Sequence, residues 1–229
     1  MEASKSTISA RLGFWSAILL TCVLVAYTTG IMLLLFSKPG QWQNIHIYAQ
    51  QINSNWHLSL TFCHVMIFLA APLYLILIGC LDDLTEDKLK ICTKTSLNFA
   101  IVLTVLGSIN YFIQFSMVKL SIEKGHLEGL EQFIELNPYS AIYAIVTLGW
   151  TFFFGLSSLF VSPVFRGSLL DTTLKYSFIG NGIFCLVGFF GYIIDMSILY
   201  IIYFIGMGIS MLVFSFSLIL HFRRIVNKL

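Results

Sequence analysis

The chain has 229 residues, of which 58% are hydrophobic and 10% are charged, and its formal net charge is +2. Soluble domains carry about 25% charged residues, so this composition excludes an ordinary soluble fold. The near-neutral charge, with no basic run longer than Arg223-Arg224, excludes nucleic acid as a partner. The apolar residues form long continuous blocks rather than alternating segments, which predicts membrane-spanning helices and not a β-barrel.

Six blocks are each long enough to cross a hydrocarbon layer of about 30 Å, which takes roughly 20 helical residues. The first block continues to Phe36 with no cleavage site, so we expect a retained span rather than a signal peptide. Lys38-Pro39-Gly40 ends the first block, Asp82-Asp83 ends the second, Pro138 lies in the first turn of the fourth, and Pro163 ends it. We therefore predict an all-α, single transmembrane domain over residues 1–229, with spans at 13–36, 58–81, 95–118, 139–162, 175–194 and 198–221.

The basic residues predict the orientation of this bundle. Of the 13 lysines and arginines, ten fall on the side that holds both termini, whereas Lys38, Lys119 and Lys124 fall on the other side. Cytoplasmic loops are enriched in Lys and Arg, so we expect a multi-pass protein of the cell membrane with both termini in the cytoplasm. Every acidic and basic residue lies in a loop or at a span end, which leaves His64 as the readily titratable side chain within a span.

Two outer segments have the pattern of short interfacial helices. In the first, aromatic and apolar residues recur at helical spacing: Trp42, Ile45, Tyr48, Ile52 and Trp56. In the loop between spans three and four, an apolar stripe lies beside three glutamates: Leu127, Leu130 and Ile134 beside Glu128, Glu131 and Glu135. Such helices lie in the membrane surface and either cover the bundle or gate a pocket beneath them.

Small residues follow one face of each of the last three spans. These are Thr151, Gly155, Ser158 and Ser162, then Gly180, Gly188 and Gly191, then Gly206, Ser210 and Ser217. Small residues allow helix backbones to approach closely in lipid. The ridges indicate either packing within the chain or a homo-oligomer interface.

The third span carries the best candidate site. Gly107, Asn110 and Gln114 share one helical face, with Tyr111 beside them. An unpaired amide in hydrocarbon costs a few kcal/mol, so these side chains must face the bundle. They either form hydrogen bonds with neighbouring spans or line a ligand cavity that opens outward, because Asn110 and Gln114 lie in the outer third of the span.

His64 lies at a similar depth on the second span, before a proline at position 72 that kinks the helix. It is either a hydrogen-bonded core residue or part of a ligand or proton site. His57 and His64 are about 10.5 Å apart along a helix, too far to share a metal ion. A metal site would have to combine His57 with His126 and a glutamate, and we predict no metal, no cofactor and no catalytic residue. The chain also lacks H-E-x-x-H, a P-loop, paired intramembrane aspartates and the intramembrane carboxylate or lysine typical of ion-coupled transport.

Three short runs resemble a known group of proteins. They are I-N-Y-F-I-Q-F at 109–115, L-N-P-Y-S-A-I at 136–142 and L-F-V-S-P-V-F at 159–165. They resemble small six-helix membrane proteins of bacteria and archaea that have similar aromatic–amide and Asn-Pro motifs. The resemblance covers roughly the third and fourth spans. It implies that Asn110, Gln114, Asn137 and Pro138 belong to a recurring arrangement, and it implies no activity.

These patterns favour a non-enzymatic membrane protein that contacts membrane lipids and binds a small or amphipathic ligand. The outward-facing polar pocket would be lined by His64, Asn110, Tyr111 and Gln114. One alternative is a transporter or the permease component of an ATP-driven exporter, in which residues 82–94 dock a cytoplasmic partner subunit. The other is a membrane enzyme that modifies lipid.

Overall fold

The computed structural model describes residues 2–36, 42–51 and 57–228, and these ranges contain helices and no strand. The α-helices are α1 (Glu2–Phe36), α2 (Ile45–Gln51), α3 (His57–Leu84), α4 (Lys90–Ile113), α5 (Lys119–Glu123), α6 (Ala141–Leu148), α7 (Phe154–Val161), α8 (Leu169–Ile193) and α9 (Ser197–Val226). Two π-helical turns join some of them: Gln114–Val118 lies between α4 and α5, and Gly149–Phe153 lies between α6 and α7. Short 3-10 turns lie at Asp87–Leu89, Leu130–Phe133 and Ser162–Val164.

Six helical rods in these ranges are long and apolar enough to cross a membrane, which confirms the predicted number of spans. They are span one (Ser6–Leu34), span two (Leu58–Leu84), span three (Asp87–Glu123), span four (Ala141–Val164), span five (Leu169–Ile193) and span six (Ser197–Val226). The predicted stop at Lys38-Pro39-Gly40 lies outside the described residues.

Span five begins earlier than predicted because a capping box starts it. The backbone N–H of Asp171 donates to Oγ of Ser168 over 3.1 Å, and the backbone N–H of Ser168 donates to Oδ2 of Asp171 over 3.0 Å. These two bonds satisfy backbone donors that the first turn of a helix leaves free. The helix can therefore begin before the apolar stretch from which the span was predicted.

Both termini lie at the same end of the bundle. Gly13 of α1 packs against the ring of Phe222 near the end of α9, and Gly30 of α1 packs against the sulfur of Cys63 near the start of α3. Span one is therefore antiparallel to spans two and six. We call the end with both termini the terminal end and the opposite end the distal end.

The small residues of spans four to six serve contacts within the chain. A Cβ atom added to Gly182 would lie 2.9 Å from the carbonyl oxygen of Gly155, and one added to Gly206 would clash with the ring of Phe184. Real Cβ atoms do not approach a carbonyl so closely, so only glycine permits this spacing of the spans. Packing within the chain thus accounts for these positions.

Stacked rings and a buried hydroxyl network hold the centre of the bundle. The rings of Phe178 and Phe214 stack at 4.4 Å, and those of Tyr74 and Phe154 meet edge to face at 4.9 Å. The hydroxyl of Tyr74 lies 2.9 Å from Oγ of Ser157, and Oγ of Ser157 also donates to the carbonyl of Ser96 over 3.0 Å. These bonds join spans two, three and four where water cannot satisfy the polar groups.

The two outer segments, each predicted to be a short interfacial helix, are less regular in the structure. The first contains α2, whereas Ile52 and Trp56 lie outside the described residues. In the loop of residues 124–140, helix is limited to the single turn Leu130–Phe133. Gly125 and Gly129 both have a φ of 73°, a left-handed conformation that interrupts an α-helix.

The apolar stripe of the 124–140 loop is largely buried against the bundle. Leu130 and Ile134 pack in one apolar cluster with Ile45 and Tyr48 of α2. The loop and α2 together close the distal end over spans one to three. The loop thereby places Glu135, the residue after Ile134, over the bundle.

Candidate functional site

A cavity of about 470 Å³ opens at the distal half of the bundle, between α1, α6 and α9. Its wall is mostly apolar, and its size falls within the range of about 300–1,000 Å³ typical of small-molecule sites. The apolar wall includes Leu24, Ile31, Ile67, Val146, Met211 and Leu212. Leu212 is fifteen residues beyond Ser197, so at 1.5 Å per residue the cavity reaches about 22 Å into the bundle.

The cavity also opens sideways, towards the surface that lipid would cover. Met32 of α1 and Ile205 and Ile209 of α9 line the cavity, and each of these side chains is more than half exposed. The two helices pack closely at the terminal end, where Gly13 touches Phe222, and leave this gap between them nearer the distal end. The cavity is therefore open at the apolar side face of the bundle.

Aromatic residues with polar groups surround the distal part of the cavity. Its lining includes five tyrosines and one tryptophan: Tyr27, Tyr111, Tyr143, Tyr200, Tyr203 and Trp150. The rings of Tyr200 and Tyr203 lie 5.2 Å apart, and those of Tyr143 and Tyr200 lie 6.4 Å apart. Tyr and Trp suit a boundary between apolar and polar contacts because each combines a large apolar ring with one polar atom.

Among the described residues that line the cavity, Glu135 is the one with a formally charged side chain. It belongs to the 124–140 loop, and span three fixes its backbone. The side-chain amide of Gln114 donates to the carbonyl of Phe133 over 2.7 Å, and the backbone N–H of Glu135 donates to Oε1 of Gln114 over 3.2 Å. The buried side-chain amide of Gln114 thus bonds the backbone of the loop at Phe133 and at Glu135.

The carboxylate of Glu135 faces span two. Its Oε2 atom lies 3.1 Å from Nε2 of His64, and both side chains are at least four-fifths buried. The imidazole of His64 also lies beside the ring of Tyr111, with a separation of 6.0 Å between ring centres. His64, Tyr111 and Glu135 therefore form one polar group at the distal end of the cavity.

Two further polar side chains of the wall lack a well-aligned hydrogen bond. Oγ1 of Thr147 and Nε1 of Trp150 are buried and have no hydrogen-bond partner in the described part of the chain. Each interacts with a tyrosine, Thr147 with Tyr200 and Trp150 with Tyr111, but outside hydrogen-bonding geometry. Buried polar groups in proteins are nearly always paired, so unpaired groups in a cavity wall mark places where a ligand can bond.

Both π-helical turns flank this site. Gln114 begins the turn in span three, and Trp150 lies within the turn in span four. A π-helical turn adds a residue to a helix and rotates the side chains that follow it, and such turns are frequent at functional sites. Gln114 and Trp150 thus lie at points where the α-helical pitch of spans three and four changes.

The structure places the four predicted site residues differently from one another. Tyr111 lines the cavity. His64 contacts the carboxylate of Glu135, and Gln114 accepts from its backbone N–H. Both residues line a separate pocket of about 20 Å³. Asn110 is fully buried outside the cavity lining, and neither atom of its amide has a partner among the described residues. Their roles in ligand binding stay a prediction.

Sequence reasoning missed most of the cavity wall. The sequence presents Glu135 only as one of three glutamates beside the apolar stripe of the loop, and the pocket predicted from it contains no tyrosine of spans one, four or six. A signal existed for the tyrosines, because Tyr27, Tyr143 and Tyr200 all fall in the distal parts of apolar spans. No local signal identifies Glu135, because the bonds from Gln114 and the contact with His64 depend on the tertiary fold.

Within the described residues no three metal-binding side chains converge, and the combination of His57 with His126 and a glutamate is not tested there. The side chain of His57 lies outside them. Comparisons with protein families, with curated proteins and with solved structures find no match to this chain.

Proposed function

We propose that this protein binds a small amphipathic ligand in the cavity between α1, α6 and α9. The observation that carries the proposal is the combination of a deep apolar wall with unpaired polar groups at the distal end. Thr147, Trp150 and Glu135 offer hydrogen bonds and charge to a polar head. Leu24, Ile67 and their apolar neighbours offer a dry surface to a tail.

In this proposal the protein lies in the cell membrane with both termini in the cytoplasm. The excess of Lys and Arg at the terminal end supports that orientation. The distal end then faces outward, α2 and the 124–140 loop lie at the outer membrane surface, and the side opening faces the outer leaflet. Ligand would enter from the bilayer and turn its head towards Glu135.

The orientation can be tested by cysteine labelling. In a background without the five native cysteines, Lys124→Cys should react with an impermeant maleimide in intact cells. Glu86→Cys, in the turn after α3, should react only after permeabilisation. The reverse pattern would place the cavity on the cytoplasmic side.

Aromatic rings fill the centre of the bundle, and this packing favours a binding protein rather than a channel. The cavity ends near Met211 and Leu212, and the next ring along α9, that of Phe214, stacks on Phe178. The side chains of Phe178 and Phe214 are fully buried. A polar solute therefore has no continuous path from the cavity to the terminal end in this conformation.

Tryptophan fluorescence tests the proposal directly, because Trp150 lines the cavity. A protein with Trp15, Trp42 and Trp56 replaced by Phe keeps Trp150 as its only indole. Brominated single-chain amphiphiles with uncharged, cationic or anionic heads would be titrated into this protein in lipid nanodiscs. Bromine quenches a nearby indole, so we expect saturable quenching by at least one of them.

A second single-tryptophan protein, which keeps only Trp15, gives the matched control. Trp15 is 61% exposed on the side of α1 and lies towards the terminal end. It should report only non-saturable partitioning of the amphiphile into lipid. Equal, non-saturable quenching of Trp15 and Trp150 by every amphiphile would refute a binding site at the cavity.

A further inference from the structure

We infer that the ligand is a cationic amphiphile, with an amine or quaternary ammonium in its head. This inference rests on the proposed function and names the chemistry that the same cavity selects. It comes from the charge and the aromatic surroundings of one residue, Glu135.

The first argument is charge. The carboxylate of Glu135 lines the cavity at a position where apolar side chains exclude most water, and a buried charge is costly unless a partner of opposite charge is near. Nε2 of His64 lies 3.1 Å from Oε2, a contact that is an ion pair only when the imidazole is protonated, and Oε2 has no well-aligned hydrogen bond in the described part of the chain. Lys119, which lines the small pocket beside His64, directs its amino group to Glu123 at 3.8 Å.

The second argument is the ring of tyrosines. Tyrosines from four membrane-spanning helices line the same cavity as the Glu135 carboxylate: Tyr27, Tyr111, Tyr143 and Tyr200. The faces of aromatic rings carry negative charge density and attract cations, and quaternary ammonium ligands are characteristically bound by several rings together. A carboxylate among aromatic rings matches a positive head and repels a negative one.

The unpaired donors refine this chemistry. The indole N–H of Trp150 can only donate, so it bonds an oxygen of the ligand rather than the ammonium. The hydroxyl of Thr147 can accept from an amine or donate to an oxygen. The head that fits all three groups carries a positive nitrogen near Glu135 and an ester, ether or hydroxyl oxygen near Trp150.

The test compares three brominated dodecyl probes that differ in the head: trimethylammonium, uncharged monoglyceride and carboxylate. Binding is measured as saturable quenching of Trp150 in nanodiscs of zwitterionic lipid, after correction for partitioning with the Trp15-only protein. We expect the trimethylammonium probe to bind at least tenfold more tightly than either of the others. In Glu135→Gln most of this preference should disappear, because the substitution removes the charge and keeps the size of the side chain.

Glu128→Gln provides the matched control, because it removes the same charge from an exposed position of the same loop. It should keep the full preference for the cation. If Glu135→Gln proves unstable, Tyr143→Leu and Tyr143→Phe give an independent measurement. Tyr143→Leu removes a ring and should lower the preference for the cation, whereas Tyr143→Phe keeps the ring and should retain that preference.

The outcomes separate the two proposals. Saturable binding with equal affinity for the three heads, or a cation preference that Glu135→Gln and Tyr143→Leu both leave intact, would overturn the inference and keep the binding site. If none of the three probes quenches Trp150 saturably, the proposed function itself is overturned.

Discussion

Nε2 of His64 lies 3.1 Å from Oε2 of Glu135, and this contact joins span two to the 124–140 loop. Two further side chains hold the same stretch of loop. Gln114 bonds the backbone at Phe133 and Glu135, and the hydroxyl of Ser140 donates to the carbonyl of Ile134 over 2.8 Å. Glu135 is therefore fixed by spans two and three and by Ser140, the N-cap of span four, which makes it a defined part of the cavity wall rather than a surface glutamate.

Gln114→Leu should release this loop. The substitution removes the bond to the Phe133 carbonyl and leaves the N–H of Glu135 without its acceptor, and an unsatisfied buried group costs about 1–3 kcal/mol. We expect a lower free energy of unfolding by about that amount and faster amide hydrogen exchange over residues 130–137. Hydrogen-exchange mass spectrometry in detergent measures the exchange over residues 130–137, and denaturant titration measures the free energy of unfolding.

Ser116→Ala is the control for that experiment. Ser116 lies in the same π-helical turn, is half-buried, and its hydroxyl donates to the carbonyl of Phe112 in its own span. It should leave exchange in the loop unchanged. Unchanged exchange over residues 130–137 in Gln114→Leu would contradict the view that this amide anchors Glu135.

Asn110→Val should stabilise the protein. Asn110 is fully buried, and neither atom of its amide has a partner in the described part of the chain, so the folded state carries the cost of two unpaired groups. Replacing an unsatisfied polar group by an apolar one removes that cost. We expect an increase of about 1–3 kcal/mol in the free energy of unfolding, measured by denaturant titration in mixed micelles.

Asn181→Val is the comparison, because Asn181 is equally buried but its amide donates to Oγ of Ser158 over 2.8 Å. This substitution should destabilise the protein. Loss of stability in Asn110→Val as well would mean that Asn110 has a partner in solution, such as a bound water molecule.

Hydropathy was sufficient to predict the six spans, because the bilayer imposes a minimum apolar length on each helix regardless of its neighbours. It also singled out His64, Asn110, Tyr111 and Gln114, since polar residues in lipid must face the bundle. Glu135, which His64, Tyr111 and Gln114 surround, could not be predicted in the same way. Glu135 lies in a loop, where a charge needs no explanation, and only the fold shows that the loop turns inward.

Asn110 illustrates a second limit of the sequence. Its helical face was predicted to be the pocket face because it shares that face with Gln114. The helix is regular between them, because the backbone N–H of Gln114 still bonds the carbonyl of Asn110, and the π-helical turn begins only at Gln114. The two amides differ in what packs against them: the 124–140 loop reaches Gln114, whereas Asn110 is buried with no hydrogen-bond partner among the described residues. The path of a loop leaves no signature in the face of a helix.

Thr147→Val should separate ligand binding from stability. The two side chains have the same shape, and Oγ1 of Thr147 is buried at the cavity wall with no hydrogen-bond partner in the described residues. We expect the ligand-free protein to unfold at the same temperature or higher, because an unsatisfied hydroxyl is removed. Affinity for the amphiphile that quenches Trp150 should fall by about tenfold, which corresponds to the loss of about one hydrogen bond.

Thr104→Val serves as the contrast for that experiment, because the Thr104 hydroxyl is paired. It donates to the carbonyls of Ala71 and Ala100 over 3.1 and 2.8 Å, and the residue does not line the cavity. This variant should lose stability and keep its affinity for the amphiphile. Equal affinity in Thr147→Val and the unmodified protein would exclude the Thr147 hydroxyl from binding.

Gly182→Ala should weaken the packing of spans four and five. The added Cβ would lie 2.9 Å from the carbonyl oxygen of Gly155 and against the side chain of Leu159, and a backbone oxygen cannot move aside without shifting its helix. Overpacking of this kind costs about 1–3 kcal/mol. Gly79→Ala, in α3, is the matched control because its Cβ would meet nothing within 4 Å, so stability should stay level or rise slightly. Thermal unfolding of both variants in the same detergent gives the comparison, and equal melting temperatures would contradict the close approach of these two spans.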